Sequence, residues 1–420
     1  GVAFAQTYDT NNVVAQTIAG SAFTGTNDGQ GTLSMFNGPV AVAADSSSNL
    51  FVFDYNNLLV RKITPAGVVS TIAGGGTINL PVYNVVEGHT NTAFVPGLQA
   101  DLDPVVNMTM SSADRLYMLG FTASNTVVLY RMDSDGYVAA IPFVSSDLTG
   151  GQARHGICAD SQDHLFVSNM NTHKIYRITT NGISLFVGSG NVGAINGTGA
   201  FTSFNSPAAL CADPFDNLFV WDSGNKLIRK ITPGGEVTTY AGHSGSGDND
   251  GQGTNAGFFY VSTMTSDAQG NLYLACFSSS GGESIRKIYT NGRVTTLAGN
   301  FSQHGYVNGT GSTARFYGGG NEGLCWSGGS LFLADTFNHR IRQLTFNPVP
   351  QPVYATNLSV ATYAGLNITG TVGRTYQVQS TTDNTNWLAR TNVLLTISPQ
   401  LWIDPTAAVS NRFYRIFLLP

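Results

Sequence analysis

A unit of about 50 to 65 residues recurs along the 420-residue chain, and this repetition constrains the fold more than any other feature. A unit this short cannot bury its own apolar face, so such repeats build arrays in which each copy packs against its neighbours. Its centre reads Asn49-Leu50-Phe51-Val52-Phe53-Asp54, and returns as Asn217-Leu218-Phe219-Val220-Trp221-Asp222 and Ser330-Leu331-Phe332-Leu333-Ala334-Asp335. More divergent copies start at Arg115, His164 and Asn271, giving six in all.

A second alternating segment follows each copy, as in Leu59-Val60-Arg61-Lys62-Ile63 and Leu227-Ile228-Arg229-Lys230-Ile231. Alternation of period two is what a strand with one buried face requires. A turn such as Thr64-Pro65-Ala66-Gly67 then leads to a last strand ending in Thr71-Ile72-Ala73-Gly74. Each unit therefore reads as a four-stranded meander, the blade of a β-propeller. The sixth unit stops at Phe346 without its last strand, while an orphan Thr17-Ile18-Ala19-Gly20 precedes the first. The orphan is expected to complete the sixth blade and close the ring, which removes the open edges that a β-array must otherwise protect.

The segments Asp335-Thr336-Phe337-Asn338-His339-Arg340-Ile341-Arg342, Asp222 to Arg229 and Asn171-Thr172-His173-Lys174-Ile175 resemble the NHL repeat. The resemblance covers residues 13–346, roughly four-fifths of the chain. It implies a six-bladed propeller in which Asp54, Asp222, Asp335, His173 and His339 are structural repeat positions. The aspartates are expected to accept backbone N–H bonds in the following loop. The second copy, with Gly120 at the Asp position, and the fifth, with Cys276 there, depart from the pattern.

Between blades lies a Gly- and Asn-rich element that ends on Phe36, Phe204, Phe258 or Phe316. Asn-Gly and Asp-Gly supply tight turns, and the terminal Phe is expected to plug the gap between blades. Rigid propellers carry function on their loops, so Asp28, Asp248, Asp250, Asn308 and Tyr306 are the candidate ligand-binding residues.

Signals for chemistry are sparse. Cys158, Cys211 and Cys325 share one slot, occupied by Ala43 in the first blade, and with Cys276 read as buried free thiols rather than a zinc or disulfide set. Some six-bladed relatives are lyases with metal-ligating histidines on the channel strands. Here only His155 begins an innermost strand, whereas a catalytic zinc needs about three protein ligands. His89, His243 and His304 fall in interblade loops. Gly188 to Gly193 fits G-x-G-x-x-G without a following helix, and Asp248-Asn249-Asp250-Gly251 lacks the closing Glu of a calcium loop, with Phe259 in its place. No catalytic residue, metal or cofactor is expected.

The domain organisation reads as an N-terminal segment at 1–10, a propeller over 11–346, a Pro-rich spacer at 347–353 and a small β-sandwich over 354–420. The last part resembles the immunoglobulin- or fibronectin-like domains of secreted bacterial proteins. With 25 acids and 20 bases the chain has no basic stripe for nucleic acid, and no stretch approaches the 18 or so apolar residues of a membrane helix. Ala3-Phe4-Ala5 before Gln6 has the form of the end of a secretory signal. The expected function is a non-enzymatic scaffold, secreted or at a bacterial cell surface. It would bind protein, glycan or its own copies as a homo-oligomer or fibre, with Gly1 to Phe4 adding a strand to a neighbour. The alternative is a propeller-type lyase or lactonase acting at the central channel.

Overall fold

The computed structural model describes residues 13–80, 94–122, 127–141, 155–179, 182–245, 247–320, 322–346, 360–361, 365–383, 385–396, 398–403 and 413–419. The 1–10 segment, the 347–353 spacer and His89 lie outside the described residues. The chain divides into two compact units at residue 347.

Six antiparallel sheets succeed one another in the first unit. Their inner strands are Pro39–Ala44, Val105–Met110, Ile157–Ala159, Pro207–Ala212, Tyr260–Ser266 and Leu324–Ser327. Each lies beside the next, and the last returns to the first, so the sheets are the blades of an all-β, six-bladed propeller. Closure falls where strand counting puts it. Val13–Ala19 pairs antiparallel with Arg340–Phe346, from Val13 opposite Phe346 to Ala19 opposite Ile341. Val13, Ala15 and Ala19 are fully buried in that blade.

The second strands Leu50–Asp54, Leu165–Asn169 and Leu218–Asp222 are buried at every residue. A strand between two neighbouring blades has apolar contacts on both faces, which is why these segments read as continuous apolar runs rather than alternating ones. The turn before the last strand needs glycine: Gly67 and Gly235 adopt φ of 81° and 80°, where a side chain is strained.

One expectation is corrected. Among the described residues, five of the six blades carry a fifth, two-residue strand on their outer edge, such as Gly29–Gln30 against Val68–Gly74 and Gly309–Thr310 against Val13–Ala19. The Gly-rich connector runs along the outer edge before it crosses inward, and two residues are too few to leave an alternation in the sequence. The crossing ends on Phe36, Phe204, Phe258 or Phe316, each at most 1% exposed between blades.

The second unit holds two three-stranded antiparallel sheets. One joins Val360–Ala361, Gly365–Ile368 and Gln400–Ile403, and the other Leu388–Leu394, Thr375–Thr381 and Phe413–Leu418. Leu366, Ile368, Tyr376, Val378, Val393, Leu395 and Ile416 form its own small core.

Candidate functional site

The interblade residues expected to meet a ligand are tied inward. Arg61, Arg229, Arg286 and Arg342, all fully buried, extend from third strands over the plug rings at 4.6 to 5.3 Å from the ring centres. In the first blade the Arg61 guanidinium donates to Asp54 Oδ2 (3.1 Å), Asp28 Oδ1 (2.8 Å) and the carbonyls of Met35 and Asn27. Asp250 and Asn308 close the same arrangement on Arg286 and Arg342, each at 3.0 Å. Asp28 also accepts from Thr71, and Asp250 from Thr296. Tyr306 lies 3.9 Å from Arg340 across its ring face, with its hydroxyl 3.0 Å from Thr17 Oγ1.

The repeat aspartates do more than the turn contact expected of them. Asp54, Asp222 and Asp335 accept the N–H of the residue after the plug, Asn37, Asn205 and Tyr317, at 2.6 to 2.7 Å. That donor lies in the preceding loop, not the following one, because the plug residue is drawn to the end of the second strand. The other oxygen pairs with the buried arginine seven residues later. Burial pushes all three carboxyls up, against the lowering effect of the guanidinium and the N–H donors. In the fifth blade, where Cys276 takes the Asp position, Asp248 supplies the missing carboxylate by accepting the Phe259 N–H at 3.1 Å. His173 and His339 hold left-handed turn conformations, φ 57° and 55°, and their Nδ1 atoms accept the N–H groups of Ser206 and Gly38, both at 3.0 Å. Each thus stitches its blade to the segment that enters the next.

The candidate site lies at the end of the ring where the inner strands begin. A cavity of about 550 Å³ opens there, walled by Tyr55, Phe121, Tyr260 and Phe337 together with Asp103, Asn107, His155, Glu322 and His339. Residues just ahead of an inner strand stand over the axis, and the ring is tight at this level: a Cβ on Gly323 would sit 2.6 Å from Ala41 Cα. Among the described residues, no Lys or Arg lines the cavity. Deeper in the channel, a narrower cavity of about 180 Å³ is lined by Ala43, Cys158, Cys211 and Cys325 among others. All four cysteines are free and buried, and burial pushes their thiols up, that of Cys276 to about 12.

His155 is 3% exposed, with Nδ1 2.8 Å from the Ser168 carbonyl oxygen. A carbonyl only accepts, so Nδ1 carries the proton and Nε2 a lone pair. Among the described residues that Nε2 has no partner. Burial holds the imidazole below its ordinary pKa, which keeps it neutral. In the sixth blade, Glu322 lies beside Glu283 of the fifth, and among the described residues its Oε2 has no hydrogen-bond partner. Glu283 Oε1 accepts the Gly318 and Gly319 N–H groups at 2.8 and 2.6 Å, and Glu322 Oε1 that of Gly320 at 3.3 Å. Burial, then the neighbouring carboxylate, pushes Glu283 up to about 9, so the pair retains a proton at neutral pH. Asp103 accepts the Tyr130 hydroxyl at 2.7 Å. The arrangement presents hydrogen-bond acceptors and aromatic faces to a small ligand.

Of these groups, sequence reading singled out only His155 at the channel, and it missed Asp103 and Glu322, which line the same cavity. Asp103 and Glu322 stand two residues before their inner strands, in stretches without periodicity. A usable signal was scarcity: the chain has only four glutamates, and two of them form this pair. Among the described residues no group of three or more His, Cys, Asp or Glu is placed to hold a metal ion.

No family model matches the chain, and no curated protein matches it in sequence. Solved structures do. A structural genomics protein of unknown function from Bacteroides thetaiotaomicron is similar over 80% of this chain and 76% of its own, with a TM-score of 0.59 and 21% identity. An auxiliary nutrient binding protein of the same organism covers 80% of this chain and 76% of its own (TM-score 0.56, 15% identity). Another, from Bacteroides ovatus, covers 81% and 78% (TM-score 0.55, 16% identity). At these identities the likeness is one of fold.

Proposed function

We propose that this chain is a non-enzymatic binding protein, secreted or displayed at a bacterial cell surface, that takes a small ligand into the mouth of its propeller channel. The observation that carries the reading is His155 Nε2, an acceptor buried in the cavity wall without a partner. Buried polar groups are ordinarily hydrogen-bonded, and an orphan in a concave, aromatic-lined cavity marks the place of a missing donor. Its volume falls within the range of small-molecule sites, roughly 300–1,000 Å³. Binding is also the role given for two of the structurally similar Bacteroides proteins. The second unit, with its separate small core, serves in this reading as an anchoring module. Thermal-shift screening against glycans, amines and carboxylates tests the proposal. A compound that raises the melting temperature of the wild type but not of His155→Ala supports it, and hits indifferent to that substitution would move the site elsewhere.

One observation favours a second reading, a lyase or lactonase at the channel. A neutral imidazole with a free lone pair and a carboxyl pair that retains a proton are the base and acid of proton-transfer chemistry. Turnover of a lactone or of an acidic C–H substrate, lost in His155→Ala, would establish it.

A further inference from the structure

The propeller mouth contains two features that the fold does not use. One is the Glu283–Glu322 pair, 3% and 6% exposed, whose two carboxyls face each other with backbone N–H groups as their donors. Three fully buried arginines neutralise the buried Asp54, Asp222 and Asp335, but among the described residues no arginine or lysine pairs with Glu283 or Glu322. The other is His155 Nε2, which has a lone pair and no donor. Glu322 and His155 belong to the sixth and third blades, which oppose each other across the axis of a six-bladed ring, and Glu283 reaches Glu322 from the fifth. Asp103 adds a third acidic group to the same wall.

We propose that the occupant of this cavity is an organic cation bearing a primary or secondary ammonium group, which docks on Glu322 beside Glu283. The inference rests on the channel-mouth reading and names the class of its ligand. An ammonium supplies what each feature lacks: positive charge for a buried carboxyl pair and N–H donors for an acceptor-only imidazole. It also suits the faces of Tyr55, Phe121, Tyr260 and Phe337, since aromatic rings attract cations. An anion would meet acidic groups and, among the described residues, no lining Lys or Arg. A neutral polyol would satisfy the hydrogen bonds but leave the carboxyl pair without its counter-charge. The exchange balances: one positive charge enters, one proton passes to solvent, and the pair becomes two carboxylates held by the ammonium and the Gly318 to Gly320 N–H groups. The other titratable or charged groups near the pair are Cys276, Asp248 and Arg286, the last already engaged with Asp250. Asp103 and His155 line the cavity from the second and third blades, and His339 lines it from the sixth, its Nδ1 occupied by the Gly38 N–H.

Isothermal titration calorimetry of the full chain decides the matter. The probes are putrescine, cadaverine, butylamine, glucose and succinate, each in two buffers of different ionisation enthalpy that contain no primary amine. The amines are expected to bind at least tenfold more tightly than glucose or succinate, with close to one proton released per ligand at pH 7. Glu322→Gln, which preserves the shape of the side chain and removes its charge, should abolish the proton release and weaken amine binding at least tenfold. Asp103→Asn is the second variant, expected to weaken binding of the diamines more than of butylamine. Circular dichroism and melting of both variants confirm that they fold. Glucose or succinate binding as tightly as the amines, sensitive to His155→Ala and without proton release, would overturn the ligand class while leaving the mouth as the site. Amine binding indifferent to Glu322→Gln, or no binding of any probe by the folded protein, would overturn both.

Discussion

Replacing Asp222 by alanine strips the carboxylate from the Arg229 guanidinium, and both side chains are fully buried. The pair is 2.9 Å apart, and Asp222 also accepts the Asn205 N–H and the Asn225 amide, each at 2.7 Å. Arg229 would keep the carbonyls of Ser203 and Ile195 and the Asn196 amide oxygen, all neutral acceptors. Removing one partner of a buried ion pair costs about 3–5 kcal/mol, because the other charge stays desolvated. At about 2 °C per kcal/mol for a unit of this size, the melting temperature should fall by roughly 6–10 °C. Urea unfolding and calorimetry measure both quantities. Asp222→Ala combined with Arg229→Met should lose less than the sum of the two single substitutions, since neither charge is then stranded. Asp54→Ala should cost less than Asp222→Ala, because Asp28 gives Arg61 a second carboxylate where the fourth blade has only Asn196. A loss under about 1 kcal/mol for Asp222→Ala, or a double variant no better than additive, would refute the reasoning that these arginine centres hold the blades together.

Truncating a plug, Phe204→Ala or Phe316→Ala, should cost about 3–5 kcal/mol in the same unfolding assay, since each ring is at most 1% exposed and its removal leaves a cavity. The Glu283 carboxyl, pushed up to about 9, holds a proton in the folded chain that the unfolded chain has released above its ordinary pKa near 4.5. Its contribution to stability is therefore fully present at acid pH and declines as pH rises toward 9, with a slope of at most about 1.4 kcal/mol per pH unit. Melting curves from pH 5 to 10 should show that decline, and Glu283→Gln should flatten it. Ala15→Asp, which puts a charge at a fully buried position of the closing strand, should open the ring and drive aggregation or oligomer formation in light scattering. The four cysteines should resist a thiol reagent at pH 8 until the protein is unfolded, and rapid labelling of the native chain would contradict their burial.

The number of blades, the place of ring closure and the plug phenylalanines were all legible in the sequence. Each is a repeated local pattern, and six copies make a weak signal in one copy a strong one. The orphan strand at Val13–Ala19 was visible because a repeat with one piece missing at its end and a spare piece at its start has a single economical closure. Misread were the features whose partners come from another segment. Asp28, Asp250 and Asn308 look like loop residues offered to solvent until Arg61, Arg286 and Arg342 arrive from strands about 33 to 36 residues later. Even so, the Asp-to-Arg spacing of seven, at 54 and 61, 222 and 229, 335 and 342, was present to be seen.

Sequence by itself determined the all-β class, the period and the ring, because period-two alternation and glycine turns are properties of neighbours along the chain. Only the tertiary structure decided the channel mouth. Asp103, His155, Glu283 and Glu322 are separated by up to 219 residues and obey no common period. They meet because closing six blades around one axis brings the residues that lead into the inner strands to a single opening. There, burial, which no linear spacing encodes, holds the His155 imidazole below its ordinary pKa and pushes the Glu283 carboxyl up.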